Sequence, residues 1–331
     1  MKVAVLGAGF AGGIHAQAWS GIPGAELALV VDADEDRARG LAERWDVAWG
    51  TSLDGALGDE ITAVSVCLPT ALHEQAVVAA ARGGKHVLCE KPMALDLAAA
   101  DRMISVAAEA GVTLMVGHVL RFWPEYEKLR ELAVTGALGA LRSLACARHV
   151  TRPGPYAPWL LDPGQGLGLA EVAIHDLDIA ADLIGRPEAI AAQGVRDGGG
   201  WCSLQALLRF EGESVACVET GWGTPAAEPF VAAFRAFFER GLVEYDSRRR
   251  PTFRIVTDDG IEEGDSPAGE TEGGPWAFDV AGYLREVEYF AACVAAGGPA
   301  SRCPPEAGRQ ALRLALTAFE AADTGRELPL P

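Results

Sequence analysis

The sequence contains very little lysine, and arginine supplies almost all of its positive charge. Lys and Arg together number 28 against 46 acidic residues, so the formal net charge is -18. This charge repels nucleic acid phosphates and anionic membrane surfaces, so we expect neither nucleic acid nor membrane as a partner. The only lysines are Lys2, Lys85, Lys91 and Lys128. Lys91, inside the motif CEKPMAL, therefore needs a more specific explanation than a generic surface charge.

Paired cysteines and long apolar runs are also missing. None of the seven cysteines belongs to a C-x-x-C pair, and several lie in apolar runs such as VSVCLP. We therefore expect buried free thiols in a reducing compartment. Glycines interrupt the apolar start of the chain after VAVL, and no run reaches the length of a membrane span. The expected location is the cytoplasm.

Short apolar runs alternate with helical patterns between Lys2 and about His118, which is typical of repeated βα units and a mostly parallel sheet. The predicted strands are KVAVLG, ELALVVD, AVSVCLP, KHVLCE and VTLMVGH, with a weaker one at Val47–Trp49. Helices are predicted at Glu35–Arg44, Leu72–Arg82 and Leu97–Ala110. A length of 331 residues and a hydrophobic content of 50% favour two domains. Since the βα pattern stops at about His118, residues 1–120 are predicted to form the first domain.

The pattern changes after about residue 120, where alternating strand-like runs dominate. The predicted strands are LRSLACARHV, CSLQALLRF, SVACVETGW, FVAAFRAFF and TFRIVT. They predict an α+β domain over residues 121–331 with an open, mostly antiparallel sheet. Gly260–Pro275 is acidic and rich in Gly and Pro, which predicts a mobile loop. Helices are predicted at Val280–Ala296 and Pro305–Asp323.

The motif GAGFAG has the G-x-G-x-x-G spacing of a dinucleotide-binding turn, at Gly7, Gly9 and Gly12. It follows a predicted strand and opens a predicted helix, and Asp32 ends the next strand. A carboxylate there accepts hydrogen bonds from the adenosine ribose and repels a 2′-phosphate, which favours NAD. Arg37 lies nearby and keeps NADP open. The alternative is a glycine turn in a doubly wound domain that binds no nucleotide.

Lys91 follows the strand HVLC, at the carboxyl edge where ligands bind in open α/β sheets. An ammonium there can stabilise negative charge on a substrate oxygen during hydride transfer. Pro92 lowers the cost of a cis peptide bond after Lys91. The alternative is a solvated lysine at the end of a strand.

A glycine-rich loop leads into a predicted helix in GQGLGLAEVAIHDLDIAADLIG. Glu171, His175 and Asp178 share one face of that helix through their i,i+4 and i,i+3 spacing. Histidine titrates near neutrality and suits the transfer of a hydroxyl proton. His175 as a purely structural residue, and Glu171 as only an orienting or solvated one, remain open. No metal-ligand spacing or nucleophile motif is present, so no metal is expected.

Four segments together resemble the Gfo/Idh/MocA family of oxidoreductases: GAGFAGGIHAQAW, PTALHEQAVVAAARGGKHVLCEKPMAL, GHVLRFWPEY and IHDLDIAADLIG. The resemblance extends to about residue 185 and implies a Rossmann domain, an α/β domain with an open antiparallel sheet, and homodimers or homotetramers formed through that sheet. It implies that the E-K-P lysine contacts the substrate and the nicotinamide ribose. The family has an aspartate where this chain has Glu171, which puts the role of that carboxylate in doubt.

The resemblance and the motifs together assign the candidate site. The cofactor-binding candidates are Gly7, Gly9, Phe10, Ala11, Gly12, Asp32, Pro69, Thr70, His73, Glu90 and Lys91. The substrate candidates are Lys91, Arg121, Trp159 and His175, and the catalytic candidates are Lys91, His175 and Glu171. Thr70 and His73 are equally suited to simple helix-start roles, and Arg121 to packing on aromatic rings.

The first hypothesis is an NAD(P)-dependent dehydrogenase or reductase that acts on a CH–OH group of a sugar, inositol or related polyol. The alternative is a sensor or regulator of the same fold that binds dinucleotide and a sugar-like ligand without catalysis. Retention of both Lys91 and His175 favours chemistry.

Overall fold

The computed structural model describes residues 1–151, 158–198, 200–223, 225, 230–265 and 280–330. The chain divides into two compact units. The first comprises Met1–Phe122, Gly164–Gly166 and Val280–Leu312, and the second comprises Trp123–Pro163, Leu167–Asp279 and Arg313–Pro331. The sequence places residues 280–312 in the second domain, and the division at residue 120 stays a prediction.

The described residues of the first unit form a six-stranded sheet with the order β3-β2-β1-β4-β5-β6. All neighbouring strands pair in parallel, which confirms the predicted doubly wound fold. Short runs of Val, Ala and Leu are buried in these strands because helices cover both faces of such a sheet. The strands are β1 (Lys2–Leu6), β2 (Glu26–Val31), β3 (Ala48–Gly50), β4 (Ala63–Val66), β5 (His86–Glu90) and β6 (Leu114–Gly117).

Helices in the described chain begin and end largely where the sequence predicts them. Their bounds are α1 (Phe10–Ser20), α2 (Glu35–Trp45), α3 (His73–Arg82), α4 (Leu97–Ala110), α5 (Pro124–Thr135), α6 (Ala170–Ile184), α7 (Ala281–Ala296) and α8 (Pro305–Thr324). Local capping explains several ends. The Asp34 side chain accepts hydrogen bonds from the first turn of α2, and Asp96 does so for α4. Gly111 ends α4 in the left-handed conformation at φ 67°.

The described residues of the second unit form a nine-stranded sheet with the order β14-β13-β12-β11-β7-β10-β9-β8-β15. Only β7 and β10 pair in parallel among them, so the predicted mostly antiparallel sheet is confirmed. The strands are β7 (Leu141–Val150), β8 (Pro187–Asp197), β9 (Gly200–Phe210), β10 (Val215–Trp222), β11 (Val231–Phe238), β12 (Gly241–Asp246), β13 (Phe253–Thr257), β14 (Gly260–Gly264) and β15 (Leu328–Pro329).

The predicted loop at Gly260–Pro275 is wrong over its first five residues. Gly260–Gly264 form β14, which pairs with β13 in an antiparallel hairpin. Gly260 adopts φ 143°, a conformation that favours glycine and suits it to the end of the turn. The composition of the segment concealed a fully exposed strand. Residues 266–275 of the predicted loop lie outside the described part of the chain.

One face of the nine-stranded sheet exposes large apolar side chains. The strand register places exposed apolar residues of β8, β9, β10, β11 and β14 on that face, and the alternate residues of the central strands β9, β10 and β11 are buried. They are Val195 at 61% exposure, Leu207 at 52%, Val215 at 40%, Phe237 at 41% and Ile261 at 60%.

The expectation of buried free thiols holds for only some cysteines. All seven cysteines are free, and Cys89, Cys146 and Cys303 are buried. Cys217 is exposed because it pairs with Leu207 across β10 and β9 and therefore lies on the exposed face of the sheet. For Cys217 the prediction is wrong. Among the described helices, none is long and apolar enough to cross a membrane.

Candidate active site

The glycine motif forms the turn between β1 and α1 in the first unit. Gly7 has φ 96°, and a Cβ atom there would lie 2.4 Å from the Cys67 carbonyl oxygen. A Cβ atom on Gly12 would lie 1.8 Å from the Gly7 carbonyl oxygen. A Cβ atom on Gly9 would meet nothing within 4 Å. The fold thus requires glycine at 7 and 12, whereas the open space above Gly9 fits the close approach of a pyrophosphate.

Asp32 lies immediately after β2 and contacts the glycine turn directly. Its Oδ2 accepts a hydrogen bond from the Ala8 backbone N–H over 2.7 Å, and Oδ1 accepts one from Asp34 N–H over 2.9 Å. These bonds fix a carboxylate beside the turn. Arg37 is exposed and pairs with Asp34, with 3.4 Å between Nε and Oδ2.

The other nucleotide candidates lie near the same carboxyl edge of the sheet. Phe10 and Ala11 are in the first turn of α1, and Phe10 is 53% exposed. Pro69 and Thr70 precede α3, after the end of β4, and Thr70 is buried. Edge positions after β1 and β4 are where this class of sheet binds ligands.

Glu90 is the last residue of β5, and Lys91 is the first residue after it. Glu90 is buried, and its Oε2 accepts a hydrogen bond from the Lys91 backbone N–H over 3.1 Å. Lys91 is half-buried, and the Lys91–Pro92 peptide bond is cis. The edge after β5 therefore presents a carboxylate and an ammonium in consecutive residues.

The remaining lysines have ordinary structural contacts. Lys2 pairs with Glu60 at 2.9 Å, and Lys128 with Glu131 at 3.1 Å, both on the surface. The Lys85 ammonium donates to the Gly58 carbonyl over 2.7 Å.

His73 connects the segment after β4 with the segment after β5. Its Nδ1 lies 2.9 Å from the Pro92 carbonyl oxygen, and its Nε2 lies 2.7 Å from the Leu68 carbonyl oxygen. Burial lowers the pKa of His73 and outweighs the two carbonyl contacts, which favour the charged ring. These two contacts support the structural alternative for His73, and its cofactor-binding role stays a prediction.

In the second unit, α6 carries the predicted proton-transfer residues. Glu171 is buried in the first turn, and its Oε1 accepts a hydrogen bond from the Leu167 backbone N–H over 3.1 Å. It therefore ties down the loop that leads into the helix. His175 is half-buried one turn later, and Asp178 is buried on the same side of α6.

Two substrate candidates lie in different surroundings. Arg121, in the first unit, is buried, and its Nη1 donates to the Arg302 carbonyl over 2.8 Å. This contact supports the structural alternative. Trp159, in the second unit, is half-buried in a short 3₁₀ turn, Pro158–Leu161.

Sequence reasoning missed four of the buried polar residues. His15 contacts Glu90, and Arg148 pairs with Asp176, the neighbour of His175. Glu286, on α7, lies close to His15 and Glu90. His15 had a local signal, since it follows Gly12 by one helical turn. Glu286 had no local sequence signal, because it comes close to Glu90 only when α7 packs against the distant segments α1 and β5.

Two family models match the chain. The model described as "Oxidoreductase family, NAD-binding Rossmann fold" matches residues 1–118, and the model of the GFO/IDH/MocA C-terminal domain matches residues 126–260. Together they cover well over half of the sequence.

Individual relatives extend the similarity to the whole chain. Myo-inositol 2-dehydrogenase of Thermotoga maritima is 28% identical, covering 100% of this chain and 98% of that protein. D-xylose 1-dehydrogenase (NADP(+)) 2 of Haloferax volcanii is 29% identical and covers 92% of each. The crystal structure of GenD2 from gentamicin A biosynthesis in complex with NAD has a TM-score of 0.86 at 24% identity, covers 100% of this chain and 96% of that one, and shows the shared fold. The chain therefore belongs to the Gfo/Idh/MocA oxidoreductase family and, with it, to the NAD(P)-dependent dehydrogenases that act on CH–OH groups.

Proposed function

We propose that this chain interconverts the hydroxyl and carbonyl forms of a sugar, inositol or related polyol, with Lys91 and His175 as its catalytic residues. The observation that carries the proposal is the sheet edge of the first unit. The glycine turn follows β1 and Lys91 follows β5, both at the carboxyl edge. The glycine turn, which is proposed to bind the dinucleotide, and the Lys91 ammonium thus lie at the same edge of one sheet.

NAD is the proposed cofactor, and it accepts or supplies a hydride when bound. Gly7, Gly9 and Gly12 would hold its pyrophosphate, and Asp32 its adenosine ribose. The fixed Asp32 carboxylate favours NAD over NADP because it repels a 2′-phosphate. The xylose dehydrogenase relative is named for NADP, so this preference requires direct measurement.

Lys91 is proposed to donate a hydrogen bond to the reacting oxygen. Its positive charge stabilises the negative charge that develops on that oxygen as the C–H bond breaks or forms. His175 is proposed to take the hydroxyl proton in oxidation and return it in reduction. Glu171 holds the loop before α6 and so orients the helix that carries His175.

A polyol or sugar is the proposed substrate class. The support comes from full-length relatives named for myo-inositol and D-xylose, two polyhydroxylated compounds of different shape. Their identities of 28% and 29% favour the class and not one member of it.

We also propose that the chain forms a homodimer or homotetramer through the exposed face of the nine-stranded sheet. Five large apolar side chains at 40–61% exposure lie on that one face. Apolar groups arranged in this way favour association with a second apolar surface. Light scattering after size exclusion measures the mass, and Leu207→Arg is expected to shift it towards the monomer. The matched control is Val134→Arg on α5, whose native residue is 71% exposed.

The function is tested by mixing the purified protein with NAD or NADP and a panel of inositols, pentoses, hexoses and sugar acids. Reduced nicotinamide absorbance is the readout, with the Lys91→Ala protein as the control for trace contaminants. Turnover that the variant lacks supports the proposal. Binding of NAD without turnover on any compound would instead favour the non-catalytic sensor.

A further inference from the structure

His15, Glu90 and Glu286 converge in the interior of the first unit from α1, β5 and α7. Each offers one polar atom, and these atoms all lie within 4.8 Å of one another. His15 and Glu286 are fully buried, and Glu90 is 6% exposed. Ionisable groups so close together and so shielded from water cannot titrate independently.

Glu90 has hydrogen-bond donors on both carboxylate oxygens. His15 Nε2 lies 3.0 Å from Oε1, and the Lys91 backbone N–H donates to Oε2 over 3.1 Å. Ser65 Oγ supports the histidine, since it lies 3.2 Å from Nδ1 and accepts from Trp19 Nε1 over 2.8 Å. Burial raises the pKa of Glu90, but the contacts with His15 and Lys91 outweigh it, and the net pKa is lowered. Glu90 is therefore a carboxylate.

Glu286 has the opposite environment. Neither of its carboxyl oxygens accepts a hydrogen bond from the residues that the structure describes. Burial raises the pKa of Glu286 well above its usual value, the Glu90 charge raises it further, and Arg302 opposes both effects. Two buried carboxyl groups this close do not both ionise. The proton belongs on Glu286, because Glu90 already has two donors.

We propose that Glu286 is a neutral carboxylic acid that donates its O–H to Glu90 and thereby holds the Glu90–Lys91 segment in position. A carboxyl O–H needs an acceptor, and the nearby carboxylate is the strongest one in the cluster. Glu286 touches neither substrate nor cofactor in this role, so it is a positioning residue. The consequence for catalysis rests on the proposed function of Lys91, whereas the protonation of Glu286 does not.

The other charged or titratable groups around Glu286 do not remove the need for that proton. Arg302 donates to the Arg121 carbonyl and stacks over the Phe122 ring at 4.2 Å, and its charge lowers the pKa of Glu286 without cancelling the effects of burial and of Glu90. Burial raises the pKa of the Cys67 thiol well above its usual value, so Cys67 stays neutral. The groups that face the cluster of His15, Glu90 and Glu286 are thus Cys67, His73, Cys89, Lys91 and Arg302.

The first test is the pH dependence of stability in Glu286→Gln, with Glu288→Gln as the control on the exposed side of α7. A carboxyl whose pKa is raised on folding keeps its proton in the folded state and loses it in the unfolded state. Wild-type stability therefore falls as pH rises above about 4.5, the unfolded value, towards the folded pKa. Glu286→Gln has no carboxyl group at this position and so does not lose stability in this way. The difference between its melting temperature and that of the wild type should therefore shift in favour of the variant as pH rises. Glu288→Gln should show no such trend.

Infrared spectra of the wild type give a direct measurement. The C=O band of a protonated carboxylic acid should be present at neutral pH and absent in Glu286→Gln. It should persist in Glu288→Gln. Absence of that band from the wild type, or equal pH slopes in all three proteins, would overturn the proposal.

The positioning role is tested by comparing Glu286→Ala with Glu286→Gln. Alanine leaves Glu90 without its third donor, and kcat should fall by about tenfold or more, the effect of one lost hydrogen bond to a charged group. Glutamine supplies a neutral N–H donor of similar shape and should restore most of that loss. Equal losses in both variants would show a purely structural role.

A bound divalent cation would give different results. In that case Glu286 would be ionised, and added Zn²⁺ or Mn²⁺ would raise the melting temperature of the wild type but not of Glu286→Gln. That result would overturn the proposal. If the wild type turns over no polyol, the infrared band and the pH slope still decide the state of Glu286, so the two proposals fail separately.

Discussion

Arg148 and Asp176 form a buried ion pair with two hydrogen bonds in the second unit. Nε donates to Oδ2 over 2.7 Å and Nη2 donates to Oδ1 over 3.0 Å. Burial lowers the pKa of Arg148, but the Asp176 charge more than offsets it and the net pKa is raised, so the guanidinium stays charged. Arg148 is on β7 and Asp176 is on α6, so the pair fixes α6 against β7. Because Asp176 directly follows His175, the helix is held at the position of the proposed proton carrier.

Asp176→Ala should destabilise the protein by about 3–5 kcal/mol, since it leaves a buried cation unpaired. Urea unfolding measures the loss. Glu213→Ala is the control, because it removes one of the two carboxylate partners of the exposed Arg142, where the cost is about 0–1 kcal/mol. A similar small loss in both variants would contradict the importance of the buried pair.

Gly9→Val should fold and lose NAD binding. The added side chain has open space within the protein, but it occupies the space proposed for the pyrophosphate. Calorimetric titration with NAD is the measurement, and circular dichroism checks the fold. Gly40→Val is the control, since Gly40 is an exposed helix glycine at which an added Cβ atom would also meet nothing within 4 Å. Unchanged affinity in a folded Gly9→Val protein would refute the phosphate assignment.

The wild type should bind NAD more tightly than NADP. Asp32→Ser should change the ratio of the two affinities by about tenfold in favour of NADP. Serine removes the negative charge and retains a hydroxyl for the ribose. Titration of both dinucleotides gives the ratio. Arg37→Ala separates the contribution of the neighbouring cation, and a wild-type preference for NADP that this variant loses would show that Arg37 overrides Asp32.

Lys91→Ala should lower kcat by about a hundredfold or more while NAD affinity changes little, since the pyrophosphate is held elsewhere. Steady-state kinetics and NAD titration separate the two effects. Lys85→Ala is the control, because that ammonium is used by the Gly58 carbonyl. A nearly normal kcat in Lys91→Ala would show that the Glu90–Lys91–Pro92 segment has a structural role and that Lys91 is not catalytic.

His175→Ala should lower kcat and remove an ionisation near neutrality from the pH profile of oxidation. Adding Lys91→Ala to it should cost less than the sum of the two single effects, because the two residues are proposed to act on one oxygen and its proton. Profiles of kcat against pH for the wild type and the three variants provide the measurement. Strict additivity would contradict a shared reaction step.

Local motifs predicted much of the first unit and of the candidate site. Gly7, Gly12 and Asp32 were predictable because each depends on a neighbouring strand end and on a backbone conformation that few residues adopt. The position of Lys91 directly after β5 was predictable because a clear strand pattern precedes it, and its catalytic role stays a prediction. In each case the physical cause lies within a short stretch of sequence.

The buried polar pairs were not predictable in this way. Asp176 reads as one more acidic residue on α6 until β7 brings Arg148 to it, and Glu286 reads as part of an ordinary amphipathic helix. Strands β8, β12, β14 and β15 were missed, and for β8 and β14 the reason is related. Small and charged residues there follow no clear alternation, and pairing with β9 and β13 determines their conformation.

The two ends of the nine-stranded sheet have a consequence for how copies of the chain can associate. At one end, β14 carries Glu262 and Glu263 and is exposed throughout, and at the other, β15 has only two residues and includes Pro329. Charge, shortness and proline each discourage a foreign strand from extending a sheet. Growth by addition of strands is thereby disfavoured, and the proposed contact through the exposed apolar face, which a rotation axis can close, would give assemblies of fixed size instead of fibres.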